Sequence, residues 1–409
     1  MRDSDAHLTT GQRIAKHRHR RRLSQTELAG LVGRTDEWLR KVETGRHEID
    51  RISVLRDLAD ALAVPFGDLL GADILLDWRD GEGHGSIPQL RAALTDVRQF
   101  LPADQLAGHQ AGVDLDALAV RVNYAWNDYQ SSRYNRTALL LPAIVTDTLA
   151  ATRLLTGDDQ RRALRQSAAA HQLVGVFVPK LGEPDLAFGT ARRGLELAQM
   201  SGDVPTIGSL YRIVAYTLGA LGLFAESAAL IDSAVTLVEA DLSRPEADGT
   251  DLSVLGMLHL IGARSAAQAD HAEQAEQHLA HADALATRLG YNGNHAYTGF
   301  GPINVQIHRT VVAIELGDAA RAAAIGVPLD TSPVPIERRG RHAIESSRAL
   351  TRLGRVEEAV DLLLTAEQFA GEQIRHHSLA REIVRRASRA KHPPRRAAAL
   401  ASRMGIQAL

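Results

Sequence analysis

Residues 23–45 read LSQTELAGLVGRTDEWLRKVETG. Ser24 stands three places before Glu27. Its hydroxyl can accept from the Glu27 amide while the Glu27 side chain reaches back, a capping box that opens a helix. Leu28, Ala29 and Val32 then fall on one apolar face. Gly33 breaks the helix and can take the positive φ of a tight turn. Thr35 is a second N-cap, opening DEWLRKVET, which ends at Gly45. Two short helices joined by a glycine turn make a helix-turn-helix candidate.

The flanks extend this unit. Arg13, Lys16, Arg18, Arg20, Arg21 and Arg22 lie upstream with no acidic residue among them, a local basic footprint suited to phosphates. Downstream, Leu55, Leu58, Ala59 and Leu62 recur at helical spacing, and VPFGDLLG closes a compact all-helical unit near residue 71. The run 23–45 resembles the helix-turn-helix of the Cro/phage-repressor (XRE) family on Ser24, Gln25, Leu28, Ala29, Gly33, Glu43 and Gly45, without a gap. The resemblance implies a five-helix DNA-binding domain over residues 1–71. It also implies a partly buried, structural ion pair between Arg18 and Glu43.

Within the second helix, Leu39 and Val42 must face the core. At ~100° per residue, Glu37, Lys41 and Thr44 then point directly outward, with Arg40 on one shoulder and Trp38 on the other. Lys41 can bond guanine O6/N7 or a phosphate, and Glu37 can accept from cytosine N4. The resemblance implies that Asp36, Glu37 and Lys41 meet base edges and that Gln25, Arg34 and Thr35 meet phosphates. The two acids also sit in the first turn, where negative charge is favoured by the helix dipole, and Glu37 and Lys41 are i, i+4 partners. Arg34, Arg40 and Lys41 would then supply the affinity. Trp38 is expected at the core edge or against the sugar-phosphate backbone.

Composition bounds the rest of the 409 residues. Apolar residues make up 45% but aromatics only 4%, an Ala/Leu/Val mixture that suits packed helices. The absence of cysteine excludes disulfides and thiolate metal sites. The N-terminus is charged, without an apolar signal core, and no window approaches the ~18 uninterrupted apolar residues of a membrane span. A cytoplasmic protein with no membrane partner is the expectation.

From about Leu115 onward a unit recurs: a break, a short polar turn, then Ala and large apolar residues. It is seen in SRYNRTALLL (132–141), LGEPDLAFGT (181–190), LGLFAESAAL (221–230), ADHAEQAEQHL (269–279), LGDAARAAAI (316–325) and LGRVEEAVDLL (353–363). The spacing, mostly ~35–50 residues, resembles tetratricopeptide repeats, whose helix pairs stack around a concave ligand face. About six units cover residues 118–371, with capping helices at 374–390 and 394–404. The fold expected is all-α: a helix-turn-helix domain (1–71), a connector (72–114) hinged at GEGHGSIP (81–88), and a tetratricopeptide-like solenoid for sensing and dimerisation (115–409). TGFGPINVQIHRTVVAIELGD (298–318) and EQIRHHSLAREIVRRASR (372–389) resemble runs of actinobacterial regulators that join an XRE domain to such an array.

In such repeats, positions 2, 5, 9 and 12 of each first helix line the concave face. That register selects Val122, Trp126, Tyr129, Gln172, Arg212, Tyr216, Leu260, Arg264, Asn304, Ile307, Val311, Arg341 and Arg348. Aromatics and several Arg suggest an amphipathic, anionic ligand, and Asn304 could clamp a peptide backbone. His271, His278 and His281 share a helical face, but the Ala/Gln-rich helix reads as a solvated surface, so no metal is expected. No cofactor motif and no defensible nucleophile–base pair is present, which argues against an enzyme.

The resulting expectation is a transcriptional regulator. It binds a palindromic double-stranded operator as a homodimer, and a small molecule or peptide in its array alters its affinity. The competing reading is a protein–protein adaptor whose array binds a polypeptide and whose front domain is a tether.

Overall fold

The computed structural model describes residues 8–47, 49, 51–64, 68–69, 86–96, 113–181, 183–242, 248–390 and 394–406. Among them every regular element is helical. The front domain holds α1 (Thr10–Arg20), α2 (Gln25–Leu31), α3 (Asp36–Glu43) and α4 (Ile52–Leu62). The Ser24 capping box forms, with the Glu27 amide donating to Ser24 Oγ at 3.1 Å and the Ser24 amide to Glu27 Oε2 at 2.7 Å. Thr9 makes a second box on α1. Gly33 takes φ +63° at the turn. Gly11 lets α1 cross α3 closely, since a Cβ there would meet the Val42 carbonyl oxygen at 2.1 Å. Ile14, Leu28, Leu39, Val42, Leu55 and Leu58 form the core. The fifth helix expected before residue 71 falls largely outside the described residues; of it, Leu69 is seen fully buried in this core.

Residues 81–85 of the expected hinge also lie outside the described residues, but 86–88 do not behave as a linker. They open α5 (Ser86–Leu94), which buries Ile87 and Leu90. Leu90 and Ala93 join the core of the first array helices, and Arg91 pairs with Glu183 at 2.8 Å. Apolar residues at helical spacing outweigh the glycine signal just upstream.

Six helical hairpins follow. They are α6 (Leu115–Gln130) with α7 (Tyr134–Leu154), α8 (Gly157–Phe177) with α9 (Pro184–Ser201), and α10 (Val204–Ala220) with α11 (Phe224–Leu242). Then come α12 (Gly249–Gln268) with α13 (Ala272–Leu289), α14 (Pro302–Glu315) with α15 (Ala319–Gly326), and α16 (Ile336–Arg352) with α17 (Val356–Glu367). Each recurring sequence unit marks the turn and the start of a second helix, because a short turn between antiparallel partners needs polar residues and the returning helix needs small ones. The fold is a helix-turn-helix domain followed by a tetratricopeptide-like solenoid. α7 is long and apolar enough to cross a membrane by length and composition, but half of that window is buried against its neighbours.

The cap expected as one helix over 374–390 is two, α18 (Gly371–His376) and α19 (Ser378–Ser388). His377 is extended at ψ 121°, and its Nδ1 accepts from the Leu379 amide, so it ends one helix and caps the next. The last helix, α20 (Arg395–Arg403), lies within the expected 394–404.

The array curls until its ends meet. Ser132, in the first hairpin turn, donates to Gln373 at 3.0 Å, and the Asn135 amide donates to Glu372 at 2.9 Å. Lys180 closes a buried ion pair with Glu337, 157 residues away. A loop between α13 and α14 reaches across the same seam. Tyr297 stacks on Trp126 with ring centroids 4.4 Å apart, and Gln130 exchanges hydrogen bonds with Asn294. This loop contains the TGFGP run. Phe300 is fully buried against Gly256 of α12, where a Cβ would lie 2.0 Å from the ring. Gly256→Ala is therefore expected to destabilise by about 1–3 kcal/mol through overpacking, despite alanine's better helix propensity. Urea denaturation checks it; an unchanged midpoint would contradict this packing.

The front domain is docked on the hairpin turns. Phe224, the first residue of α11, packs into the helix-turn-helix core. Arg51 pairs with Asp270 in the α12–α13 turn at 2.6 Å.

Candidate nucleic-acid interface and effector chamber

The α3 periodicity sorts its side chains. Leu39, Val42 and Glu43 are buried, while Asp36, Glu37, Arg40 and Lys41 are exposed. Thr35 spends its hydroxyl on the cap, accepting from the Trp38 amide at 3.2 Å. Glu37 and Lys41 are 2.9 Å apart, and hydrogen bonding from Lys41 holds the Glu37 carboxyl below its usual range. Both remain about half exposed, so the pair is weak and can open to a partner. Trp38 is half-buried at the core edge, with the Arg34 guanidinium 5.7 Å from its ring centroid. Arg34 is thereby steered to the start of α3.

Behind this face lies the pair that the family resemblance implied. Glu43 accepts from Arg18 Nε at 2.6 Å and from Arg18 Nη2 at 2.9 Å, with side-chain exposures of 5% and 7%. Gln25, expected at a phosphate, donates to the same carboxylate at 2.6 Å. Of the upstream basic run, Arg18 thus turns inward and Arg21 donates to the Ala61 carbonyl.

The second site is the inside of the ring. The first helices of the hairpins converge there, bringing Tyr129, Arg212, Tyr216, Arg264, Arg341 and Arg348 into one electrostatic network. Other residues of the same register pack instead. Trp126 is 2% exposed, and its indole donates to the Ala169 carbonyl at 3.1 Å. Gln172 faces the Ala296 carbonyl, Ile307 is buried, and Asn304 donates to Met257 Sδ with its Oδ1 left without a partner. All four are buried: Tyr297 stacks on Trp126, the Ala296 carbonyl faces Gln172, and Met257 takes the Asn304 amide.

The structure adds Lys180, His308, Glu337, Arg338 and Glu345. Burial pushes Glu337 up, yet Lys180, Arg338 and Arg341 outweigh it and hold the carboxyl at about 2. Glu345 is likewise held at about 2, against burial, by Arg341 and Arg348. Burial, reinforced by Arg338, weakens Arg212 to about 9, which leaves it cationic at neutral pH. His308 is held neutral, pushed down to about 3 by burial and by Arg338, Arg264 and Arg212. A sequence signal existed for part of this set. Arg338, Arg341, Glu345 and Arg348 recur every three or four residues on α16, one charged stripe. His308 lies one place past Ile307, a single-residue slip in the repeat register.

His278 and His281 stand beside His259, whose Nδ1 is 3.0 Å from His278 Nδ1, while His271 is exposed at the helix start. Among the described residues no group of three ligands could hold a metal.

Residues 10–71 match the family model described as a helix-turn-helix domain. No curated protein matches the chain. The crystal structure of Bacillus thuringiensis PlcR in complex with the peptide PapR7 and DNA is similar over 69% of this chain and 95% of its own, at 14% identity and a TM-score of 0.30. Among the described residues the chain is all-helical, with an N-terminal helix-turn-helix domain docked on a helical-hairpin array that closes on itself.

Proposed function

We propose that this chain is a cytoplasmic transcriptional regulator of the XRE type. α3 enters the DNA major groove, and an effector held inside the ring, a small molecule or peptide, shifts operator affinity. The observation that carries the reading is the orientation of the front domain. It docks on the array through α4 and the segment before it, and leaves the outer face of α3, with Arg40 and Lys41, exposed. A face free of the array and flanked by cations is what groove entry requires. One α3 reads few base pairs, so a homodimer on a palindromic operator supplies the remaining affinity.

Coupling needs the effector to prefer one arrangement of head and ring. The ring offers a route, because Ile52 of α4 lines one cleft with Tyr216, Ile261, Arg264 and Gln268. The test is a footprint on duplex DNA from upstream of the protein's own coding sequence, at fixed salt. Lys41→Ala is expected to weaken binding by about 1–3 kcal/mol if Lys41 reads guanine. If it meets a phosphate, the salt slope drops by about one unit instead. Arg34→Ala should act through the salt slope. Unchanged binding in both variants would reject this docking, and retention of a stoichiometric protein partner with no DNA affinity would favour the adaptor.

A further inference from the structure

Among the described residues, three guanidinium groups inside the ring make no direct ion pair, although Arg212 and Arg338 feel the Glu337 carboxylate and Arg264 that of Glu345. Arg212 is 5% exposed, and its Nε has no hydrogen-bond partner. The Arg264 Nε is also buried without a partner; that guanidinium lies over the Tyr216 ring at 5.5 Å. Arg338 makes one long contact, from Nη2 to the Thr298 carbonyl at 3.4 Å. Arg212 lies one turn before Tyr216 on α10, Arg264 packs over that same ring, and the buried His308 feels all three charges. Among the described residues none of the three lies within 4 Å of a carboxylate, and the carboxylates nearby are taken. Glu337 is held by Lys180, while Glu345 is held by Arg341 and Arg348. Glu315 faces Arg348 at 3.7 Å.

Buried charge that lacks a partner is costly, and buried donors without acceptors are rare in folded proteins. Arginine forks match planar or tetrahedral oxyanions and remain charged when desolvated. Arg264 and Tyr216 also line the cleft that reaches Ile52 of the front domain. We propose that Arg212, Arg264 and Arg338 form an oxyanion site, which takes the carboxylate or phosphate group of the effector. The site deepens the effector reading above and rests on it. It gives the ligand a fixed charged end beside the cleft shared with α4.

The experiment measures binding to the full-length protein without DNA, so its failure leaves operator binding untouched. Inorganic phosphate and succinate are titrated separately by calorimetry and thermal shift. Both stay at low millimolar concentration against chloride of matched ionic strength, which keeps general salt stabilisation small. One site per chain is expected for at least one probe, and the probe that binds identifies phosphate or carboxylate as the source. Arg212→Met should weaken that binding by about 10- to 100-fold. It should also raise the melting temperature of the ligand-free protein, because an unpaired buried charge is replaced by an apolar chain of similar length. Arg192→Gln, on an exposed pair outside the ring, should bind like the parent. Arg212→Lys covers the case in which Arg212→Met does not fold; it keeps the charge, loses the fork, and should bind more weakly than the parent. The proposal is overturned if neither probe saturates on the parent protein, or if the Arg212 variants bind as the parent does.

Discussion

Replacing Glu43 by Ala is expected to destabilise the front domain by about 3–5 kcal/mol, because Arg18 stays buried without its counter-charge. Glu43 collects three donors at once, two from Arg18 and one from Gln25. Arg18 retains only the Leu23 carbonyl at 2.8 Å and a contact with His19. A domain this small has little reserve, so a loss of that size unfolds it at ordinary temperature. Hydrogen exchange of the α1–α3 amides, compared with those of α12, reads the effect locally. The double variant Arg18→Met/Glu43→Leu should recover most of the stability, since a packed apolar pair replaces the ionic one. A Glu43→Ala protein with parental protection in α1–α3 would rule out a structural role for the pair.

Glu337→Ala is the second large effect, again about 3–5 kcal/mol, and it acts on ring closure. Lys180 would remain buried between the Tyr129 and Tyr134 rings, with only the Tyr134 hydroxyl at 3.3 Å. Limited proteolysis near residues 132 and 373, where the ends meet, should accelerate. The pH dependence gives an independent sign. Glu337 is held at about 2 against an ordinary 4.5, so its contribution is complete above pH 4.5 and is lost as pH falls toward 2. His171 and His308 are held neutral by burial, at about 4 and about 3 against an ordinary 6.5. The unfolded chain takes up those protons first, so both proteins lose stability as pH falls below 6.5. Glu345, also held at about 2, gives both proteins a further loss below 4.5, and the parent should fall more steeply there than the variant. Equal slopes there would remove Glu337 from the account.

The front domain was legible because its signals are local. Ser24, Gly33, Thr35 and Gly45 act on their own neighbours, and each lies where its chemistry requires. The hairpin turns were legible for the same reason. The interior was less so. Trp126 has the right spacing for a concave face, but Tyr297, 171 positions later, covers it, and no spacing rule reports a loop that crosses the ring. Arg338 and Lys180 gain their meaning only from closure, which brings together residues more than 150 positions apart. α5 was hidden differently, because a glycine-rich run beside it carried the stronger local signal.

Phe224 has a consequence for how this protein can be taken apart. The front domain is not self-sufficient: one of its core side chains is inherited from the third hairpin of the array. A fragment ending at residue 71 would keep every α3 side chain and leave an open slot where that ring sat. Loss of a buried Phe costs about 3–5 kcal/mol, a large share of what so small a domain has. The two halves are therefore not modules that can be exchanged along a linker. A transplanted front domain would need its borrowed ring replaced, because the array carries, at the start of α11, a piece of that domain's core.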